Sequence, residues 1–286
     1  MNKVERRNAL KDKSFAVFGI VCTFFGLIVL GALLFDVFSK GAERLSWDFI
    51  TNLPSRIPEN AGILTPLMGS IWLLFLTAII AFPIGVAAAI QLEEYGGKSR
   101  FSRIIEINIA NLAGVPSIIY GLLGLQVFSR WAGMGGTLLT GAFTLGLLIL
   151  PIIIVATREA IRAVPNSIRE ASFALGASKW QTIWMQVLPA SMGGILTGII
   201  LALSRAIGET APLIVIGALT YVAFIPSSPM DEFSVLPIQI FNWVSRPQHG
   251  FMVNAAAGII VLLFITFMMN GIAVYFRNRW QKKIKW

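Results

Sequence analysis

Histidine and cysteine are nearly missing: the chain has one of each among 286 residues. Cys22 has no partner for an intrachain disulfide, and it lies inside an apolar run that gives no reading of redox compartment. His249 alone excludes a histidine-based metal cluster and reads as an ordinary loop residue. Charge is scarce too, at 13% of residues against 56% hydrophobic, with mean hydropathy +0.76. No stretch is long and polar enough for a separate soluble domain. A phosphate-binding glycine loop is also missing. Gly97-Lys98-Ser99 has the ending of one, but Leu92 stands where the first glycine is required. Neither a catalytic centre nor a nucleotide site is expected in this chain.

What the chain does have is apolar length, in the composition of a polytopic membrane protein. About 20 apolar residues cross a hydrocarbon core of about 30 Å. Six runs qualify, at 14–38, 66–91, 107–128, 137–156, 190–217 and 251–276. The expected fold is all-α, a six-span domain over 14–276 between a basic head, 1–13, and a basic tail, 277–286. The first run is too long, and lacks the cleavage site, to be a signal peptide. Pro83 and Gly85 permit a kink in the second. Asn111, Pro116, Ser117 and Tyr120 make the third polar and bent, as cavity lining or as glue between helices. The segment 40–65 reads as an external loop, with DFITNLPS either an amphipathic lip or solvated. A second external loop covers 220–247, and Trp280 and Trp286 read as interface anchors.

The net charge is +9, but its distribution argues against nucleic acid as a partner. Lysine and arginine cluster at both ends, around Lys98–Arg103, and at Arg158, Arg162, Arg169 and Lys179; the loops between carry few. This alternation is the positive-inside pattern. It places both termini in the cytoplasm, in a multi-pass protein of the inner membrane surrounded by lipid.

The stretch 164–216 is polar in its first half and apolar in its second. Ser167 and Glu170 have capping-box spacing, Gly176 is placed to end that helix, and Ser178 and Gln181 repeat the box. Ile168, Ala171, Ser172 and Leu175 form one small or apolar face. The bland reading is a surface hairpin between two spans, within a cytoplasmic loop over 157–189. The apolar half is expected to be one helix through Gly217. Gly194, Gly198, Ala202 and Ala206 make a smooth stripe on it, where another helix can come close. Arg205 and Glu209 share a neighbouring face. An ionisable pair inside a membrane marks a transport path or, alternatively, ties helices together.

Glu170-Ala171-Ser172, then Gly176, then Leu188-Pro189 resembles the EAA loop of ABC-importer permeases. The spacing is intact; Ser172 replaces the second alanine and Gln186 an isoleucine. Three further stretches resemble the phosphate-importer permeases, A-type subunits in particular: AAIQLEEY ending at Tyr95, NLAGVPSIIYGLLG from Asn111, and SRAIGETAP from Ser204. The resemblance implies a MetI-like permease in which Glu170, Ala171, Ser172, Gly176, Leu188 and Pro189 couple to an ATPase, while Arg205 and Glu209 border the anion's path. It implies four partners: a PstC-type permease paralogue, two copies of a PstB-type ABC ATPase, and an extracytoplasmic PstS-type phosphate-binding protein. ATP and magnesium would bind the ATPase, leaving this chain without a cofactor. Other readings are a permease for another oxyanion such as sulfate or molybdate, a stand-alone ion-coupled secondary transporter, and an anion channel, for which charges are few.

Overall fold

The computed structural model describes residues 3–97, 100–218 and 221–281. Among these the chain is helical, and a single isolated bridge joins Thr137 to Glu232. The long helices are α1 (Lys3–Gly41), α3 (Leu64–Ile90), α6 (Leu138–Arg162), α9 (Leu188–Ala206) and α12 (His249–Gln281). Between them lie α2 (Trp47–Thr51), α4 (Arg100–Leu112), α5 (Ser117–Gly124), α7 (Asn166–Ala174), α8 (Lys179–Thr182), α10 (Ala211–Val215) and α11 (Leu236–Val244). A π-helical turn extends α3 to Tyr95, another extends α5 to Trp131, and a third joins α8 to α9. The two interface tryptophans read from the sequence have side chains outside the described residues.

Helix α6 is the central strut. Two-thirds of its most apolar window is buried, whereas the corresponding window of α1 is wholly open. The strut is gripped from two sides by small residues. On α3, Thr77, Ala81, Gly85 and Ala89 recur every fourth residue and are buried. A Cβ at Gly85 would strike Ile153 of α6. On α9, a Cβ at Gly194 would strike Ala160, and one at Gly198 would strike Ala156. The stripe read from the sequence is thus a close backbone crossing. In lipid that crossing is held by van der Waals packing, since apolar side chains gain little by leaving hydrocarbon. The kink expected at Pro83 is no break: α3 runs on through it to Ile90.

Two of the expected spans are interrupted. The third is two helices, α4 and α5, turned by 104° about residues 113–116. Pro116 stands in the cap position of α5, and the residue before a proline is pushed out of helical conformation. Tyr120 bridges the corner, its hydroxyl donating to the Leu112 carbonyl at 2.8 Å. The fifth span ends at Ala206 instead of Gly217. Gly208 has weak helix propensity and Pro212 lacks an N–H, so the chain turns and restarts as α10. Gly217, at φ +94°, ends α10. The two restarted pieces meet each other, with Gly121 of α5 against the Pro212 backbone.

The two loops expected to be external are folded. Phe49 of α2 is fully buried beside Trp243 of α11, their ring centroids 6.0 Å apart, so DFITNLPS is a packed lip. Arg44 clamps it by donating to the Glu59 and Ala61 carbonyls and to Asn254 of α12. Backbone N–H groups of Ser227 and Ser228 donate to Asp231 and hold its carboxyl below the usual range. The Leu138 N–H then donates to the Asp231 carbonyl, seating the start of α6. The ends of α3 and α6 and helices α7 and α8 lie at the opposite, basic end.

Gly198→Leu should destabilise the fold by about 1–3 kcal/mol, because α9 cannot back away from α6 without losing the whole stripe. A Cβ at Gly19 of α1 meets nothing within 4 Å, so Gly19→Leu is the neutral control. Thermal unfolding in detergent reads the difference, and equal midpoints for the two variants would contradict the crossing.

Candidate functional site

After α6 ends, Pro165 turns the chain, with φ −58° and ψ 140°, and α7 begins at Asn166. The capping box expected of Ser167 and Glu170 does not form, and no side chain caps α7. Arg169 anchors the helix from its other side. Its guanidinium donates to the Ile161 and Val164 carbonyls at 3.0 and 2.8 Å, and to Glu94 at 2.7 Å. Carbonyls at and just past the end of α6 thereby acquire a cationic donor. Gly176, at φ +82°, ends α7 as expected, with the Ala177 N–H donating to the Ser172 carbonyl. The second box is formed: Gln181 N–H donates to Ser178 Oγ, and Ser178 N–H to Gln181 Oε1.

Of the sequence-derived coupling residues, Glu170 and Ala171 are exposed on α7, and Ser172 is half-buried. The Ser172 and Thr182 hydroxyls share a hydrogen bond at 2.8 Å, which ties α7 to α8. Ile168, Ala171, Ser172, Leu175, Gln181 and Gln186 line an open groove of about 370 Å³. Leu175 is 89% exposed at its edge. Gln186, where the family pattern has an apolar residue, therefore faces the groove rather than the bundle. Leu188 does not join this face: it packs inward with Ile183 and Ile195, and Pro189 follows at the start of α9.

Beneath α7 lies an ionic cluster that sequence reading did not assemble. Glu93 accepts from Arg158 and Arg162 of α6, and Arg158 also pairs with Glu106 of α4 at 3.0 Å. Arg158 and Glu93 are 10% and 18% exposed, so their pairing is only weakly screened by solvent. Lys179 of α8 sits 4.7 Å from the Tyr95 ring centroid. The ends of α3, α4, α6 and α7 are thus joined by complementary charge. The signal for it was present: two acids end one span, opposite the arginine-rich segment that follows another.

Arg205 and Glu209 do not share a helical face, because the helix stops between them. Arg205 occupies the last turn of α9, where the helix dipole favours a cation. Its Nε donates across the break to Glu209 Oε1 at 3.3 Å. The arginine is 43% exposed and the glutamate 18%. Ala202 and Ala206 hold the packed side of the helix. The Arg205–Glu209 contact engages Nε, and the guanidinium is partly exposed.

Comparison with known proteins gives this geometry a family. The profile described as "Binding-protein-dependent transport system inner membrane component" matches residues 81–282. A phosphate transport system permease protein PstA of Haemophilus influenzae is 35% identical, over 87% of this chain and 88% of its own length. PstA 1 of Mycobacterium tuberculosis is 33% identical over 95% of this chain and 89% of its own. A probable ABC transporter permease protein, YqgI, of Bacillus subtilis is 31% identical over 88% and 90%. Among solved structures, a bacterial alginate ABC transporter in complex with its periplasmic protein superposes with TM-score 0.69 at 14% identity, covering 96% of each chain. The inward-facing MetNI methionine ABC transporter does so with TM-score 0.58 at 15% identity, over 74% of this chain and 91% of its own. The fold, the exposed helix between the fourth and fifth crossings and the long match at 30% identity and above agree: the chain belongs to the binding-protein-dependent transport inner-membrane component family, as a multi-pass permease subunit of an ABC transporter.

Proposed function

We propose that this permease subunit passes inorganic phosphate inward across the cytoplasmic membrane, driven by ATP hydrolysed on a separate chain. The basic end, with both termini, faces the cytoplasm; the folded loops face out. A PstC-type paralogue completes the pathway, two PstB-type ATPases bind below, and a PstS-type protein delivers phosphate above. The choice of phosphate among oxyanions is supported by the relatives named PstA.

The observation that carries the coupling reading is the mounting of α7. Its groove side is open, and its inner side is held by Arg169 to both α6 and the end of α3. A push from an ATPase seated on Ala171 and Leu175 therefore reaches two membrane helices at once. The same charges keep those ends from sliding past each other. Farther in, α9 ends just past Arg205, and the chain beyond the break belongs to the α5–α10 pair. Relative motion of these two bodies alters the surroundings of the Arg205 guanidinium. A guanidinium matches tetrahedral oxyanions with paired hydrogen bonds, and Glu209 holds one of its N–H groups back. That balance suits a site that must release what it attracts.

Ala171→Trp should remove the ATPase from the purified complex while this chain stays at normal membrane abundance; intact assembly and transport would refute the docking role. Arg169→Gln should leave assembly in place but lower transport per ATP hydrolysed, at least severalfold, because α7 is no longer fastened to α3; unchanged stoichiometry in proteoliposomes would sink the staple. Arg205→Gln should stop phosphate uptake with assembly unaffected, and retained uptake would make the Arg205–Glu209 pair purely structural.

A further inference from the structure

A cavity of about 640 Å³ opens at the basic end beside the ionic cluster. The π turn after α3, the start of α4 and the end of α6 enclose it. Four guanidinium groups line it, from Arg100, Arg103, Arg158 and Arg162, against the two carboxylates of Glu93 and Glu106. The carboxylates are engaged by Arg158 and Arg162. Arg100 and Arg103 have no carboxylate partner among the described residues. Among the described lining residues the cavity therefore has two more positive than negative groups. It shares its ionic wall with the coupling end but has no lining residue in common with the α7 groove or the Arg205 break.

The helix that supplies the free arginines has a second property. One turn beyond Arg100 is Ile104, and one turn beyond Arg103 is Ile107, so each arginine shares a face with an isoleucine. Ile104 is 57% exposed and Ile107 53%. Because α4 is turned 104° from α5, the two do not run along one line through the bundle. A cationic cleft flanked by an apolar shelf matches an amphiphile with a negative head and an acyl chain. A free anion would satisfy the arginines but leave the isoleucines unused.

We propose that this cleft binds the phosphate head of an anionic phospholipid, with its acyl chain along Ile104 and Ile107. The head is held by Arg100 and Arg103. It also competes with Glu106 for Arg158, which pairs with Glu93 beside the coupling helix. Lipid occupancy thus bears on the charges that hold α3 to α6.

Native mass spectrometry on the complex purified through this chain tests the site, with phosphatidylglycerol, chain-matched phosphatidylcholine and inorganic phosphate as separate probes. Wild-type complex should retain phosphatidylglycerol about tenfold or more tightly than phosphatidylcholine. Arg100→Gln with Arg103→Gln should abolish that preference, and Arg56→Gln, an exposed arginine of the external loop, should not. Glu106→Gln should tighten phosphatidylglycerol binding by releasing Arg158, an effect opposite to that of a damaged fold. Equal retention of the two lipids overturns the proposal, as does loss in the Arg56 variant or in the Glu106 variant. Displacement of phosphatidylglycerol by millimolar inorganic phosphate overturns it in favour of a free-anion site.

Discussion

Everything positioned in this permease depends on how closely α9 and α3 approach α6. The approach is allowed by missing side chains. Gly194 and Gly198 sit over Ala160 and Ala156, and Gly85 over Ile153. Within a bilayer, burying apolar surface between helices offers little over leaving it in lipid, so contact area and fit must hold the bundle. Once α9 is seated, its last turn has a fixed depth, and that places Arg205. Once α3 and α6 are seated, Glu93, Glu94, Arg158 and Arg162 meet at one end, and that places α7.

The two ends of the molecule solve different problems. At the loop end, α2, α11 and the start of α12 build a small core around Phe49, Trp243 and Phe251, with Arg44 satisfying carbonyls that the loop leaves unpaired. At the basic end the apolar clusters are smaller, one around Ile161, Val164 and Val187 and one around Ile183, Leu188 and Ile195. Helix ends are joined there also by arginine–carboxylate pairs, which are partly shielded and so less weakened by salt than surface pairs. Helix α7 is therefore mounted by both charge and packing.

The breaks at 113–116 and 207–210 give the membrane region its functional texture. Non-helical backbone at such depth must find partners within the protein. Here Tyr120 donates to the Leu112 carbonyl at the first break, and three N–H groups reach back to Leu203, Arg205 and Ala206 at the second. A charged side chain at a helix end also gains from the helix dipole. A site in the middle of a helix would lack this. Glu209, beyond the break, can swing without bending a helix, unlike a residue on a continuous face.

Local rules made a good part of this legible from the residues alone. Apolar length gave the crossings, and proline and glycine marked where helices stop. The Gly176 turn, the Ser178–Gln181 box and the small stripe on α9 follow from chemistry within a few positions. The failures are equally physical. A capping box at Ser167 was outcompeted by Pro165 and by Arg169, whose partners lie on other elements. A continuous fifth span was expected because hydropathy ignores the backbone cost of Gly208 and Pro212. The amino-acid order by itself determined that the chain crosses a membrane several times and exposes a small-faced helix between two crossings, since these depend on transfer from water and on neighbours along the chain. Only the tertiary structure decided that Glu94 holds Arg169, that Arg205 falls in the last turn of a helix, and that α4 turns away from α5 beside a cationic cleft. Those facts depend on pairings between residues dozens of positions apart, and no local preference encodes them.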